Sequence, residues 1–268
     1  MKKTALLAFP IGVIFLCLTS CVIAIVDYPE LGDIPASGGR TFHKVVSFNP
    51  GGTLALENEN GDIEIRGWDE NKVEVYAGED IKAPYSRRFR FYGVRYPSLN
   101  IHFDQFEDFV KIKTLSSDEA HGPGMVHYSI NVPRAVNLKE IQNRSGRISI
   151  SDLYGKAVVD LEEGDVQVEN FSGTLIVNLV RGSVQAELLD LRKEDMIQIT
   201  TREGHITLFL QPDTNIRLEA SAPRGNISSE FDSGQALPSE KIDAQIGEGW
   251  ARVSLMALNG NISLKKSK

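Results

Sequence analysis

An all-β chain folded as a β-solenoid (β-helix-like), with short strands stacked in coils of roughly 18 to 22 residues, is the architecture to expect from these 268 residues. Three observations point there. Glycines recur at Gly146, Gly155, Gly164, Gly173 and Gly182, nine residues apart each time, and a fixed period of this kind marks a repeat architecture. Around them apolar and polar residues alternate with period two, as strands do and helices do not. The composition, 41% hydrophobic and 24% charged with 23 Gly, is that of an ordinary folded chain and excludes a disordered tail or a collagen-like rod.

The amino terminus reads as an export signal. Met1-Lys2-Lys3 is a short positive segment, and Ala5 to Leu18 is uncharged and apolar. Leu18-Thr19-Ser20-Cys21 follows and resembles the lipobox of bacterial lipoproteins. That resemblance implies cleavage before Cys21, a diacylglycerol on its sulfur and an acylated amino group. Each buried methylene contributes about 0.8 kcal/mol, so two or more chains hold a protein on a membrane. A spanning helix is the competing reading, because no charge occurs from Thr4 to Asp27. The leader takes both Lys2 and Lys3 out of 29 basic residues against 36 acidic ones, so the mature chain is more acidic than the full-length value of −7. Such a balance argues against nucleic acid as a partner. Cys17 leaves with the leader and Cys21 carries the lipid, so the folded part relies on packing without disulfides.

The expected organisation is therefore a signal peptide at 1–20, a lipidated Cys21 and tether at 21–40, and a solenoid at 41–266. The tether contains Pro29, Pro35 and several Gly and small polar residues, which suit a spacer or a cap on the first strand.

From Tyr85 to Tyr96 the chain departs from the repeat, with Arg87, Arg88, Arg90 and Arg95 among five aromatics. Arg88, Arg90 and Tyr92 fall on one side of a strand and Phe89 and Phe91 on the other. Arg87, Arg88, Arg90, Tyr92 and Arg95 are the candidate binding patch, suited to anionic glycan or headgroups through guanidinium forks and ring faces. A strand with a buried aromatic face and a solvated basic one explains the same residues.

The repeats themselves come in two flavours, SGRISISDL and GKAVVDLEE being one of each, so the full unit is 18 residues. Two residues after Gly stand Ile63, Ile148, Val166, Val184, Ile206, Ile227 and Ile262; four after stand Ile65, Ile150, Val168, Ala186, Leu208, Ser229 and Leu264. Between them stand Glu64, Ser149, Gln167, Gln185, Thr207, Ser228 and Ser263. Stacking coils buries the apolar columns continuously. An antiparallel sandwich also has strands every 8 to 12 residues or so, but nothing in it demands a nine-residue column.

The run from Met125 to Gly173, with Val132-Pro133 before the repeats and Asn259-Gly260-Asn261-Ile262 near the end, resembles the bacterial DUF4097, or toastrack, family, which carries an adhesin label. The resemblance covers roughly 41–266 and implies the solenoid fold, with surface attachment or envelope sensing as function. It brings no catalytic residues.

No phosphate loop, zincin, nucleophile-elbow or Cys-x-x-Cys motif occurs. His43, His102, His121, His127 and His205 lack ligand spacing, and His205 occupies a turn position that is Asp, Arg, Ser or Asn in other copies. Glu162, Glu163 and Asp165 stand one coil from Arg144 and Arg147, which favours cross-coil ion pairs over a metal cage. Asp104, Glu107 and Asp108 fit a solvated turn better than a calcium site. No enzyme activity, cofactor or metal is expected. The expected role is a non-catalytic lipoprotein of the cell envelope, on its periplasmic or surface face. It is held to the membrane by lipid and acts as an adhesin-like binding module, with a glycan or an envelope protein as its partner. The alternatives are a sensory or structural partner of envelope proteins and a polysaccharide-active β-helix enzyme.

Overall fold

The alternating segments form two largely parallel sheets, and the glycines form the corners between them. A computed structural model describes residues 41–78, 100–115, 125–232 and 239–267, and every regular element among them is a strand. The predicted patch and Cys21 lie outside the described residues.

Seven coils share one plan, a strand of sheet II, a glycine corner and a strand of sheet I. They are β2 (Thr53–Asn60) with β3 (Ile63–Trp68), β8 (Asn137–Ser145) with β9 (Ile148–Ser151), and β10 (Tyr154–Glu163) with the start of β11 (Val166–Arg181). The end of β11 joins β12 (Val184–Leu188), and β13 (Met196–Glu203) joins β14 (Ile206–Leu210). The last two are β15 (Ile216–Ser221) with β16 (Ile227–Ser229) and β18 (Ala251–Asn259) with β19 (Ile262–Lys266). A further rung is β6 (Phe109–Thr114) and β7 (His127–Pro133), with Val126 two residues before Tyr128 where the other coils have Gly. β11 is long because it bends through both sheets, pairing with β9 at Val166–Glu169 and with β13 at Leu175–Arg181.

The stack does not follow the chain at its ends. Along sheet I the order is β7, β3, β9, β11, β12, β14, β19, β16; along sheet II it is β6, β2, β8, β10, β11, β13, β18, β15. The 18-residue step holds from Ile148 to Val166 to Val184 and lengthens to 22 at Ile206, within the expected range. The next partner of Ile206, however, is Ile262, and Ile63 faces Ile148. A simple succession of coils is thereby corrected: β18 and β19 slot between two earlier coils, and β6 and β7 lie outside β2 and β3. Antiparallel strands finish the stack. β4 (Lys72–Gly78) and β1 (Thr41–Ser47) extend sheet I beyond β7, while β5 (Ile101–Phe106) and β17 (Lys241–Ile246) close the two ends of sheet II.

The core is two facing rows. Tyr128, Ile63, Ile148, Val166, Val184, Ile206, Ile262 and Ile227 stack in sheet I, all buried. Opposite them, Ile112, Leu56, Ile141, Val159, Val177, Ile199, Leu255, Ala220 and Ile242 stack in sheet II. Burial contributes about 1.5 to 3 kcal/mol for each Ile or Val, which is how coils this thin offset the entropy of ordering them. The corners close only with glycine: Gly164 has φ +134° and a Cβ there would collide with the carbonyl oxygen of Gly146.

Polar groups that enter the core are bonded across coils, with Asn143 Oδ1 and Ser267 Oγ left without a hydrogen-bond partner among the described residues. The Asn143 side-chain amide donates to the Gly61 carbonyl at 2.8 Å, and that of Asn58 donates to the Val126 carbonyl at 3.0 Å. Thr114 donates to Asn58 Oδ1 at 2.8 Å, leaving its own oxygen, 2.7 Å away, to accept the Tyr128 hydroxyl. Burial pushes that phenol up to about 12.

Candidate binding face

With the apolar columns inside, chemistry is confined to the corners and the two outward faces. At the corners the residue after Gly serves as an acceptor for the next coil. Asp62 Oδ1 accepts from the Arg147 N–H at 2.9 Å, Asp165 Oδ1 from Ser183 at 2.9 Å, and Asn261 Oδ1 from Asn226 at 2.9 Å. His205 Nδ1 accepts from the Asn261 N–H at 3.0 Å, and His127 Nδ1 from the Asp62 N–H at 3.0 Å. The reading of His205 as a turn residue thus has a physical cause. Every copy of this position except Arg147 carries an Asp, Asn, Ser or His side chain with a lone pair, since an unpaired backbone donor costs more than the bond contributes.

The acids around Gly164 make a cross-coil ion pair, but with the following coil and not with Arg144 or Arg147 of the preceding one. Asp165 is engaged at its corner, and Glu163 pairs with Arg181 of the following coil at 3.6 Å, both exposed. Asp108 accepts from Asn49 Nδ2 at 2.9 Å beside the β5–β6 turn, where Glu107 has φ +48°. Among the described residues no three His, Cys, Asp or Glu are grouped to hold a metal ion.

Outward on sheet I run Glu64, Ser149, Gln167, Gln185, Thr207, Ser263 and Ser228 in register, the column read from the sequence as solvent-facing, and strand pairing adds Ser129 at one end. Outward on sheet II the surface is shaped. Glu57, Gln142, Asp160, Asn178 and Thr200 face one another strand by strand from β2 to β13. Beside this row stand Arg144, Glu162 and Val180, and between the two lies an open groove of about 360 Å³. Asn178 Nδ2 donates to Asp160 Oδ1 at 2.8 Å, fixing both side chains. At the β2 end, Lys111 and Lys113 approach the two oxygens of Glu57 at 2.6 Å each. Hydrogen bonds from Lys111 and then Lys113 hold the Glu57 carboxyl below its ordinary value against the opposing effect of burial. Sequence reading missed this row. Asp160 and Asn178 stand 18 apart in the second repeat flavour, a visible signal, but Gln142, Thr200 and Glu57 join them only through strand pairing.

A second polar group lies on sheet I near its β1 end. His43 stacks on Tyr76 with ring centroids 4.1 Å apart, and Glu74 accepts from the Tyr76 hydroxyl at 2.8 Å and Asn131 Nδ2 at 3.0 Å. Burial raises the Glu74 carboxyl, but hydrogen bonds from Tyr76, Asn131 and His43 outweigh it and the net shift is downward.

The coil plan, the paired sheets and the glycine corners coincide with a family match that spans residues 49–265 and is described as Toastrack DUF4097. The chain belongs to the Toastrack DUF4097 family. Similar solved structures include a "putative cell adhesion protein" from Clostridium sporogenes, 13% identical, covering 85% of this chain and 100% of that one with a TM-score of 0.45. A "putative adhesin" from Bacteroides fragilis is 10% identical, covers 84% and 97%, and has a TM-score of 0.36. A "putative lipid binding protein" from Parabacteroides distasonis is 10% identical, covers 86% and 98%, and has a TM-score of 0.26. No curated protein matches the chain. Among the described residues of this Toastrack chain, no helix is long and apolar enough to cross a membrane.

Proposed function

We propose that this protein is a non-catalytic binding module of the bacterial cell envelope, exported and held on a membrane through lipid on Cys21, which engages its ligand on the outer face of sheet II. The observation that carries the reading is the groove, whose floor is set by rigid parallel strands and whose rim is a row of hydrogen-bonding side chains in register. Side chains fixed on a preformed scaffold lose little entropy on binding, which favours recognition. The rim holds carboxylates, amides and a hydroxyl with one nearby arginine. That set binds polar ligands, and it offers no nucleophile poised against a base. The Arg87, Arg88, Arg90, Tyr92 and Arg95 segment is proposed as a second contact for anionic groups.

The whole chain, purified in detergent, is used to capture material from envelope fractions, beside an Asp160→Ala, Asn178→Ala double variant and an Arg88→Ser, Arg90→Ser double variant. Capture that weakens with the first pair supports the groove, and weakening with the second supports the basic segment. Identical profiles for all three would overturn the binding reading. Intact mass decides the anchor separately: a chain starting at Cys21 and carrying acyl chains is expected, and an uncut chain starting at Met1 would refute it.

A further inference from the structure

We propose that the groove on sheet II takes a linear, uncharged, hydroxyl-rich polymer, a neutral glycan strand, lying along the solenoid axis with its sugars spaced against successive coils. This rests on the binding-module reading above and names the ligand class of the same groove.

Geometry gives the direction. Gln142, Asp160, Asn178 and Thr200 stand on β8, β10, β11 and β13 in direct register. Neighbouring strands are about 4.8 Å apart, so the row presents a polar group at each such step and extends for roughly 15 Å. An extended sugar chain advances by a similar length per unit, so one residue of ligand meets one strand. The groove is partly open to solvent, which gives a compact molecule little enclosure.

Chemistry gives the class. The bond from Asn178 Nδ2 to Asp160 Oδ1 leaves the second Asp160 oxygen and Asn178 Oδ1 without a protein partner among the described residues, two fixed acceptors for hydroxyl groups. Gln142 and Thr200 add donors and acceptors on either side. The opposite wall supplies Arg144, Glu162 and Val180, and neither Arg144 nor Glu162 is in an ion pair among the described residues. Two carboxylates against one guanidinium disfavour polyanions, which call for converging Arg and Lys forks. The exposed apolar residues nearby, Val180, Met256 and Leu258, suit the C–H faces of sugar rings. A protein partner would be expected to meet Trp or Tyr anchors, and the groove has none. The same lack of an aromatic platform keeps the contribution of each sugar small, so affinity must accumulate with chain length.

Calorimetric titration of the whole chain in detergent with β-1,4-linked N-acetylglucosamine and glucose oligomers of two to six units tests this, with an oligogalacturonate series as the anionic counterpart. Expected is a dissociation constant that falls roughly tenfold or more from dimer to about tetramer and then levels, with the anionic series weaker. Asp160→Ala with Asn178→Ala should cost at least about tenfold, while Gln167→Ala on sheet I changes nothing and thermal melts of all variants stay superimposable. Failure of both neutral series to bind, affinity independent of length, preference for the anionic series, or binding unaffected by the groove pair would each overturn the proposal. Groove-dependent capture of an envelope protein without oligosaccharide binding would reject the glycan and leave the binding module standing. Capture unchanged by the groove pair and by the Arg88→Ser, Arg90→Ser pair alike would reject both.

Discussion

At Gly182 the backbone has φ +128°, and a Cβ added there would collide with the carbonyl oxygen of Gly164 one coil away. Two penalties coincide, the strain of a left-handed conformation and the loss of close stacking. Gly51 separates them, with φ +87° and open space around its Cβ position. Gly182→Ala should therefore destabilise by about 3 kcal/mol or more and Gly51→Ala by about 1 kcal/mol, measured as denaturant midpoints; equal costs would show that the corner can relax. A second test at this scale is pH. The Glu57 carboxyl is held low by Lys111 and Lys113, so its contribution is complete above the unfolded value and is lost as pH falls through the lower folded value. The stability gap between the native chain and Glu57→Gln should be present at neutral pH and close well below 4.5, the ordinary glutamate value; a gap that widened on acidification would reverse the assignment. Much at this scale was legible. The corner glycines and the turn residue after them, His205 included, are read straight from aligned copies because each copy solves the same local problem. Glu57 was not, since its lysines lie on a strand some 55 residues away whose pairing no local pattern reveals.

Strands show the same division. The inward column was legible because period-two alternation has only one arrangement that buries its apolar half. Val166 is 1% exposed and Ile206 0%, whereas Gln185 on the same sheet faces solvent. Val166→Asp or Ile206→Asp would bury a carboxylate with no partner, a cost of several kcal/mol that should abolish the cooperative unfolding transition. Gln185→Asp should shift the melting temperature by only a few degrees, as a surface change of about 0.5 kcal/mol does; comparable losses at both positions would mean the register is wrong. The closing strands were not legible, and for a reason. A strand that ends a stack must stop repeating. β1 places Lys44 at a position in register with buried Val75, where its ammonium sits 4.0 Å from the centre of the Phe103 ring on β5. A charge on an edge strand discourages pairing with another chain. β8 likewise breaks the pattern with a bulge near Glu140, whose φ is +58°.

For the whole domain, the departure that matters is the order of the coils. In a simple repeat array each unit touches only its neighbours in sequence, so removing the last one lowers stability by a single interface. Here β18 and β19, the last strands of the chain, lie inside the stack, between β13 with β14 on one side and β15 with β16 on the other. Sequence periodicity was silent on this because the last copy, Asn259-Gly260-Asn261-Ile262, is as regular as its neighbours and says nothing of where it docks. Truncation after Gly249 should then expose two interior interfaces at once, stripping β13 and β15 of a partner in sheet II and β14 and β16 of one in sheet I. The expected result is loss of cooperative melting by circular dichroism and of protection of the Ile206 and Ile227 amides from hydrogen exchange. The competing outcome is instructive: if β15 and β16 slid one step along the stack, Gly225 would take the place of Gly260 against Gly204, and Ile227 that of Ile262 against Ile206. A truncated chain that still melts cooperatively, a few degrees lower, with both amides protected, would show that the coils are interchangeable and that the inserted pair is a surplus rung. The lengths of the strands favour the first outcome. β16 offers three residues where β19 offers five, and β15 six where β18 offers nine, so the substitute coil leaves part of both neighbouring edges without hydrogen-bond partners.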